Sequence, residues 1–324
     1  MTTLQDASSA APAADLVGRR PDIGAWAYFE GDVVPIGEAA VSIATHALNY
    51  GTAIFEGIRA YRQADGSSAV LFGPEHYERL LRNGRLLRAV VPEGVDRLME
   101  VTLELLRRND HRGDAYVRPL VYKSARSIRL QLSDLEDRVS IFTMPLGDYL
   151  PTGGIRSTVS GWQRISDGAI PARGKIAGSY VNSAFASEDA HAGGYDDAIL
   201  LTADGHVAEA SAANIFLVMD GELATPPISD DVLPGITRSA VMTIARAAGY
   251  AVVERRIDRS ELHVADEVFL TGTGAQVAPV ASIDGRTVGV GSFPVALDLQ
   301  TRYYAAVRGA DAQYASWLTP VLVL

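Results

Sequence analysis

The sequence predicts a mixed α/β protein of two domains. Short β-type runs alternate with amphipathic helical patterns along the chain. Its 324 residues exceed the length at which a single core keeps growing. A Gly- and Pro-rich stretch, GDYLPTGG (147–154), divides the chain near its middle. The expected division is a loose tail over 1–20, a small N-terminal α/β domain over 21–146, a linker over 147–154 and a larger C-terminal α/β domain over 155–324.

Each element has a local reason. WAYFEGDVVPI (26–36) reads as two strands around a turn at Gly31–Asp32. The stretches 73–90 and 95–109 carry apolar residues at helical spacing, whereas AYVRPLVYKSA (115–125) and RVSIFTMPL (138–146) read as strands. After the linker, IRSTVSGW is a strand and SYVNSAFASEDAHAGG a helix closed by glycines. DDAILLTADGHVAEA gives two strands around Asp204–Gly205. The stretch 233–250 is a helix that follows Pro234 and Gly235 and ends at Gly249, and ADEVFLTGTGAQVAPVASI gives two strands broken by a Gly-Thr-Gly turn.

Composition narrows the function. The apolar fraction of 48% and charged fraction of 21% are those of a soluble globular protein. A net charge of −10 without a basic tract argues against nucleic acid as a partner. The absence of cysteine rules out disulfides, thiolate catalysis and thiolate metal sites. The first sixteen residues lack the positive start and apolar centre of a secretory signal, and no apolar run reaches the roughly 18 residues a membrane span needs, so a cytoplasmic protein is expected. The six histidines show no metal-binding pairing.

Of 29 basic residues, 27 are arginines and only two, Lys123 and Lys175, are lysines. Arginine carries a surface charge equally well but cannot serve as a nucleophilic amine. A lysine kept in IPARGKIAGSY (170–180), among glycines and small side chains, is therefore a candidate chemical residue; composition alone favours two ordinary lysines left by a codon bias. GAIPARGK fails as a phosphate loop, with five residues instead of four between Gly168 and Gly174 and Ile176 after the lysine. Gly235, Ile236 and Thr237, at a helix start, have N–H groups suited to an anion, although most such starts bind only water. Tyr116 and Arg118 share a strand face and suit a carboxylate, or simply solvent. Glu209, among alanines, faces either a flat ligand or water. Arg79 points away from the apolar face formed by Tyr77, Leu80, Leu81 and Leu87 and reads as a solvated arginine.

The order of these segments says more than any one of them. HALNYGTAIFEGIRAY, HYERLLRN, YVRPL, IPARGKIAGSYVNS, AEASAANIF, LPGITR and ADEVFLTGTGAQVAPV follow the order and approximate spacing of the fold-type IV pyridoxal-phosphate transaminases. From about residue 25 to about residue 305 the chain most resembles the branched-chain amino acid aminotransferases. The resemblance implies two α/β domains with pyridoxal 5′-phosphate between them, in a homodimer or higher homo-oligomer.

It also implies a set of roles. Lys175 is the amine that joins the cofactor and shuttles the proton. Glu209 pairs with the pyridine nitrogen, and Tyr180 with the ring hydroxyl oxygen. Arg79, the main-chain groups of Ile236 and Thr237, and the Thr273 hydroxyl hold the phosphate, which overrules the solvated placement of Arg79. Tyr116, with the main chain at Thr273 and Gly274, holds the substrate α-carboxylate, and Arg118 receives the side-chain carboxylate of glutamate. Tyr50, Phe55, Arg59 and Tyr149 line the side-chain pocket.

The implied reaction exchanges amino groups between leucine, isoleucine or valine and 2-oxoglutarate, so the partners are small amino acids and 2-oxo acids. Alternatives are a transaminase for D-amino acids, (R)-amines or a specialised biosynthetic amino acid, and, less in keeping with Tyr116 and Arg118, an aminodeoxychorismate-type lyase. Ala213 and Leu146 stand where some members of the family carry Glu and Trp. Arg126 and Arg129 occupy a loop (123–134) that is often glycine-rich in the family.

Overall fold

The computed structural model describes residues 23–147 and 154–321. The expected tail over 1–20 and nearly all of the expected linker lie outside the described residues.

The first sheet is antiparallel throughout. Its strands are β1 (Trp26–Phe29), β2 (Asp32–Pro35), β3 (Ala53–Phe55), β4 (Ile58–Arg62), β5 (Ser68–Leu71), β6 (Ala115–Lys123), β7 (Asp137–Pro145) and, from the far end of the chain, β17 (Leu318–Val321). They run in the order β17-β5-β4-β6-β7-β1-β2, with β3 also paired to β6. The second sheet is mixed. It contains β8 (Ile155–Gln163), β9 (Asp197–Leu201), β10 (Val207–Ala210), β11 (Asn214–Met219), β12 (Glu222–Thr225), β13 (Ala251–Glu254), β14 (Glu267–Gly272), β15 (Gln276–Ile283) and the short β16 (Arg286–Thr287). The order is β10-β9-β8-β15-β14-β11-β12-β13, with β16 beside β15.

Helices cover these sheets. Besides the short α1 (His46–Tyr50), α2 (Gly73–Gly84) and α3 (Val95–Asn109) belong to the first half. Leu98, Val101 and Leu105 of α3 are fully buried in a core shared with Tyr77 and Leu80 of α2 and Val117, Val121 and Ile141 of the sheet. In the second half, α4 (Tyr180–Ala192) lies beside β8 and β9, and α5 (Ile236–Ala247) and α6 (Pro294–Val307) pack on β14. The core under α5 and α6 also takes in Tyr61, Leu71 and Phe72, so apolar packing joins the halves.

Three expectations are corrected. The first hairpin turns at Glu30–Gly31, not Gly31–Asp32: both turn residues have positive φ (51° and 101°), as a two-residue hairpin of this hand requires, and Asp32 already pairs with Phe29. The helix expected to reach residue 90 stops at Gly84 and tightens into a 3-10 turn over Arg85–Leu87, closed by Arg88 at φ 53°. The last strand does not stay with the second half. β17 pairs with β5 in register Leu318↔Leu71 to Val321↔Ser68, covering what would otherwise be an open edge.

The lysine candidate sits where the two halves meet. Phe55 N–H donates to the Lys175 carbonyl at 3.0 Å, and Gly178 N–H to the Gly51 carbonyl at 3.1 Å. Ile54 and Ile176 form an isolated bridge, so the segment carrying Lys175 is fastened to β3 of the first sheet. This needs glycine at 51: φ is +65°, and a Cβ there would lie 2.5 Å from Gly178 Cα. Gly51→Ala is expected to lower the melting temperature by several degrees, whereas Gly37→Ala, whose Cβ meets nothing within 4 Å, leaves it within about a degree, as thermal denaturation would measure.

Candidate active site

A cleft between the two sheets, with a volume of about 840 Å³, collects most of the singled-out residues. Lys175, Tyr180 and Glu209 line it with Arg79, Ile236 and Thr237. Phe55, Tyr116, Arg118, Thr273 and Gly274 complete its walls. Their positions follow from the elements that carry them. Tyr116 and Arg118 are alternate, half-buried positions of β6, whose other face is core. Glu209 lies on the buried β10, Ile236 opens α5, and Thr273 and Gly274 form the turn between β14 and β15.

The lysines have different fates. Lys123 is fully buried, with Nζ 3.0 Å from Asp137 Oδ1 and 3.2 Å from the Arg88 carbonyl. Lys175 forms no ion pair with a carboxylate among the described residues. Its Nζ donates to Tyr180 Oη at 2.6 Å and lies 4.9 Å from the centre of the Phe55 ring. Lys123 is a structural charge, and Lys175 is the accessible amine.

Glu209 is buried, not a surface residue. Its Oε2 accepts from Asn214 Nδ2 (2.9 Å) and Leu233 N–H (3.2 Å), and its Oε1 lies 2.9 Å from Arg164 Nε. Burial pushes this carboxyl up, opposed by the Arg164 guanidinium, the Leu233 N–H and the Lys175 amine. Asn214 also donates to the Leu233 carbonyl at 3.0 Å and presses on Gly235, where any Cβ would strike its Oδ1. It thereby ties Glu209 to the start of α5, whose first turn has no side-chain cap.

Arg79 is 5% exposed, which corrects its solvated placement. It forms a bidentate pair with Glu56 (2.6 and 2.7 Å) and donates through Nη1 to the Pro234 carbonyl at 2.6 Å. The helical wheel failed because the face away from the first core looks into the cleft. Tyr116 Oη accepts from Arg118 Nη2 at 2.8 Å, and only glycine fits at 57, where a Cβ would strike that hydroxyl.

Two expected pocket residues are placed otherwise. Arg59 is fully buried and absent from the cleft lining; it donates to the carbonyls of Thr273 (2.8 Å), Gly147 (2.9 Å), Leu146 and Gly274 (both 3.3 Å). A buried guanidinium takes its hydrogen bonds where carbonyls converge, so Arg59 anchors the turn behind the pocket. Tyr50 is 41% exposed, outside the cleft of this chain, with its hydroxyl on the Ile128 carbonyl at 3.0 Å. Tyr149 lies outside the described residues. Glu56, His76, Arg164 and Asn214 escaped the sequence analysis. The signals open to it were a carboxylate inside the apolar run AIFEGI and an Asn five residues after Glu209.

Such a cleft, with a free lysine amine facing a buried carboxylate between two α/β halves, is that of an aminotransferase. The chain belongs to the family Amino-transferase class IV, whose model matches residues 53–283. It is 47% identical over 300 residues to a probable branched-chain-amino-acid aminotransferase of Aquifex aeolicus, a match that covers 91% of this chain and 96% of that protein. A branched-chain aminotransferase from Thermoproteus uzoniensis with norvaline superposes with a TM-score of 0.89 at 38% identity, over 92% of this chain and 100% of that one. The branched-chain amino acid aminotransferase from Thermobaculum terrenum, in its PLP form, gives 0.88 at 34% identity, over 93% and 100%.

The two lysines make a paired test. Lys123→Ala leaves Asp137 buried without its cation and is expected to cost about 3 kcal/mol or more in urea unfolding. Lys175→Ala, which breaks no ion pair among the described residues, is expected to change stability by less than about 1 kcal/mol.

Proposed function

We propose that this enzyme binds pyridoxal 5′-phosphate in the cleft and transfers the amino group of leucine, isoleucine or valine to 2-oxoglutarate in two half-reactions at one site. The observation that carries this is Lys175: a primary amine with no carboxylate partner among the described residues, opening into the same cleft as Glu209 and Arg79. The residues present fit the cofactor. Arg79, Thr237 and the uncapped start of α5 offer donors to a phosphate, and the Thr271 hydroxyl is buried in the cleft wall without a partner among the described residues. Glu209 offers a carboxylate to the ring nitrogen, and Tyr180 a hydroxyl near the lysine.

Pyridoxal phosphate, when bound, supplies the aldehyde with which an amine condenses and the ring that takes up the electrons of the bond broken at the α-carbon. The protein supplies the rest. The Lys175 amine would hold the cofactor and, when free, would carry the proton from the amino acid's α-carbon. Glu209, held by Asn214 and the Leu233 N–H, would keep the ring nitrogen protonated. Tyr116, whose oxygen accepts from Arg118, keeps its own hydrogen for the substrate carboxylate. Arg59 accepts no substrate: by holding the Thr273 carbonyl it turns the Gly274 N–H of the same planar peptide the opposite way, as a second donor.

The same proposal includes a homodimer in the cytoplasm. Ile43 just before α1, Leu48 and Tyr50 on it, and Ile128 and Leu130 on the adjoining 124–132 loop stand exposed, and His46 joins α1 to the loop at the Arg129 carbonyl (2.8 Å). Exposed apolar side chains gathered on these two joined segments are the surface a second copy would cover. No helix among the described residues is long and apolar enough to cross a membrane.

The purified protein is expected to absorb in the visible as a lysine-bound aldehyde cofactor does, to lose that band when L-leucine is added and to recover it with 2-oxoglutarate. Lys175→Ala abolishes turnover while the protein stays folded. A protein that gains no absorbance with pyridoxal phosphate refutes the proposal, and reaction with D-alanine or (R)-phenylethylamine in place of leucine refutes its substrate.

A further inference from the structure

Glu56 has no part in the chemistry above and does not itself line the cleft, yet it is the most completely buried acid among the described residues. It lies between β3 and β4 with 0% exposure, its backbone fixed by donation to the Pro119 carbonyl at 3.0 Å. Oε1 accepts from Arg79 Nε at 2.6 Å. Oε2 accepts from Arg79 Nη2 at 2.7 Å and faces His76 Nδ1 at 2.9 Å. Burial pushes the Glu56 carboxyl up, but Arg79 and His76 more than offset this and hold it well below the usual range. Burial in turn lowers His76, so that a neutral imidazole donates through Nδ1.

The geometry settles what Arg79 has left to give. A guanidinium has five N–H groups. Two go to Glu56 and one to the Pro234 carbonyl, just before α5. One N–H on each terminal nitrogen remains, and Arg79 lines the cleft beside Ile236 and Thr237. A bidentate pair fixes the plane of the guanidinium as well as its position. His76, one helical turn before Arg79 on α2, supports the carboxylate from the other side.

We infer that Glu56, supported by His76, is a positioning residue for cofactor phosphate: it clamps Arg79 so that the two remaining N–H groups face the anion. This rests on the proposal that the cleft holds pyridoxal phosphate. The competing effect is electrostatic, because a carboxylate near a phosphate weakens its attraction to the arginine. Orientation wins on this inference, since a loose guanidinium would turn its donors to nearby carbonyls before the phosphate arrives.

Glu56→Asp separates the two effects by keeping the charge and withdrawing the carboxylate by one methylene. The full-length protein, freed of cofactor, is titrated with pyridoxal phosphate and with pyridoxal, which lacks the phosphate, and absorbance gives each dissociation constant. Glu56→Asp is expected to weaken pyridoxal phosphate about tenfold, as for a loosened charge-assisted hydrogen bond, and to leave pyridoxal unchanged. Glu56→Gln is expected to weaken pyridoxal phosphate similarly despite the lost negative charge. Should Glu56→Asp fail to fold, His76→Leu decides, with an expected phosphate-specific loss of about threefold. Equal loss for both ligands, no loss, or tighter phosphate binding by Glu56→Gln overturns the inference. A parent protein that binds neither ligand overturns the cofactor proposal itself.

Discussion

An amine in the wall of a buried cleft must be kept from the counter-ions that would otherwise claim it. Among the described residues, the most buried arginines and the other lysine are neutralised or saturated. Lys123 has Asp137, Arg79 has Glu56, Arg164 has Glu209 and Arg238 has Glu254. Arg59, without an acid, is held by four carbonyl oxygens. Lys175 meets a tyrosine hydroxyl and the faces of two rings instead. Breaking a buried ion pair costs several kcal/mol, so a lysine already paired to a carboxylate would have to overcome that before any bond to carbon could form. Leaving Lys175 without an acid removes that cost and makes Tyr180 the group that orients the amine.

That arrangement needs both sheets. Lys175 follows β8 of the second sheet, yet its carbonyl accepts from Phe55 of the first, and Gly178 closes on Gly51 with no side chain between them. Glu209 is held from within the second half by Asn214 and Leu233, and Arg79 reaches from α2 to the Pro234 carbonyl in front of α5. A relative shift of the halves would therefore move the amine with one and the carboxylate with the other. The return of β17 to β5 and the pairing of Arg308 with Asp114 at 2.6 Å resist such a shift from the far side.

The sequence made the class of fold legible because its strands and helices carry strong periodicities, as in α3, where Leu98, Val101 and Leu105 are the face buried in the core. Scarcity marked Lys175, together with Lys123, as a candidate, and strand alternation put Tyr116 and Arg118 on one face; the roles of these residues came only with the resemblance. The sequence misplaced Arg79 because a helical wheel separates core from non-core and cannot tell water from a cleft. It missed Glu56, His76, Arg164 and Asn214 because their importance lies in pairing with residues distant along the chain or on another element, as between Arg164 and Glu209, and no local pattern encodes such a pair. The crossing of β17 was hidden for the same reason: four residues of strand carry no mark of the sheet they join.

In the proposed reaction the cleft must also satisfy two substrates of opposite character, which poses a problem for Arg118. Beside a leucine side chain, a guanidinium waiting for glutamate would be a desolvated charge with nothing to bind. Here it donates to Tyr116 Oη and lies 4.7 Å from the centre of the Phe55 ring and 5.2 Å from that of Tyr116. Aromatic faces attract a cation without requiring a hydrogen bond in return, so Arg118 is satisfied when an apolar side chain lies against Leu120, Met144 and Leu146. Its remaining N–H groups stay available when a carboxylate arrives. The apolar walls thus cost little in the glutamate half-reaction, and the cation costs little in the other. In the proposed reaction this tolerance, rather than a pocket fitted to one side chain, allows a single site to serve both amino acids.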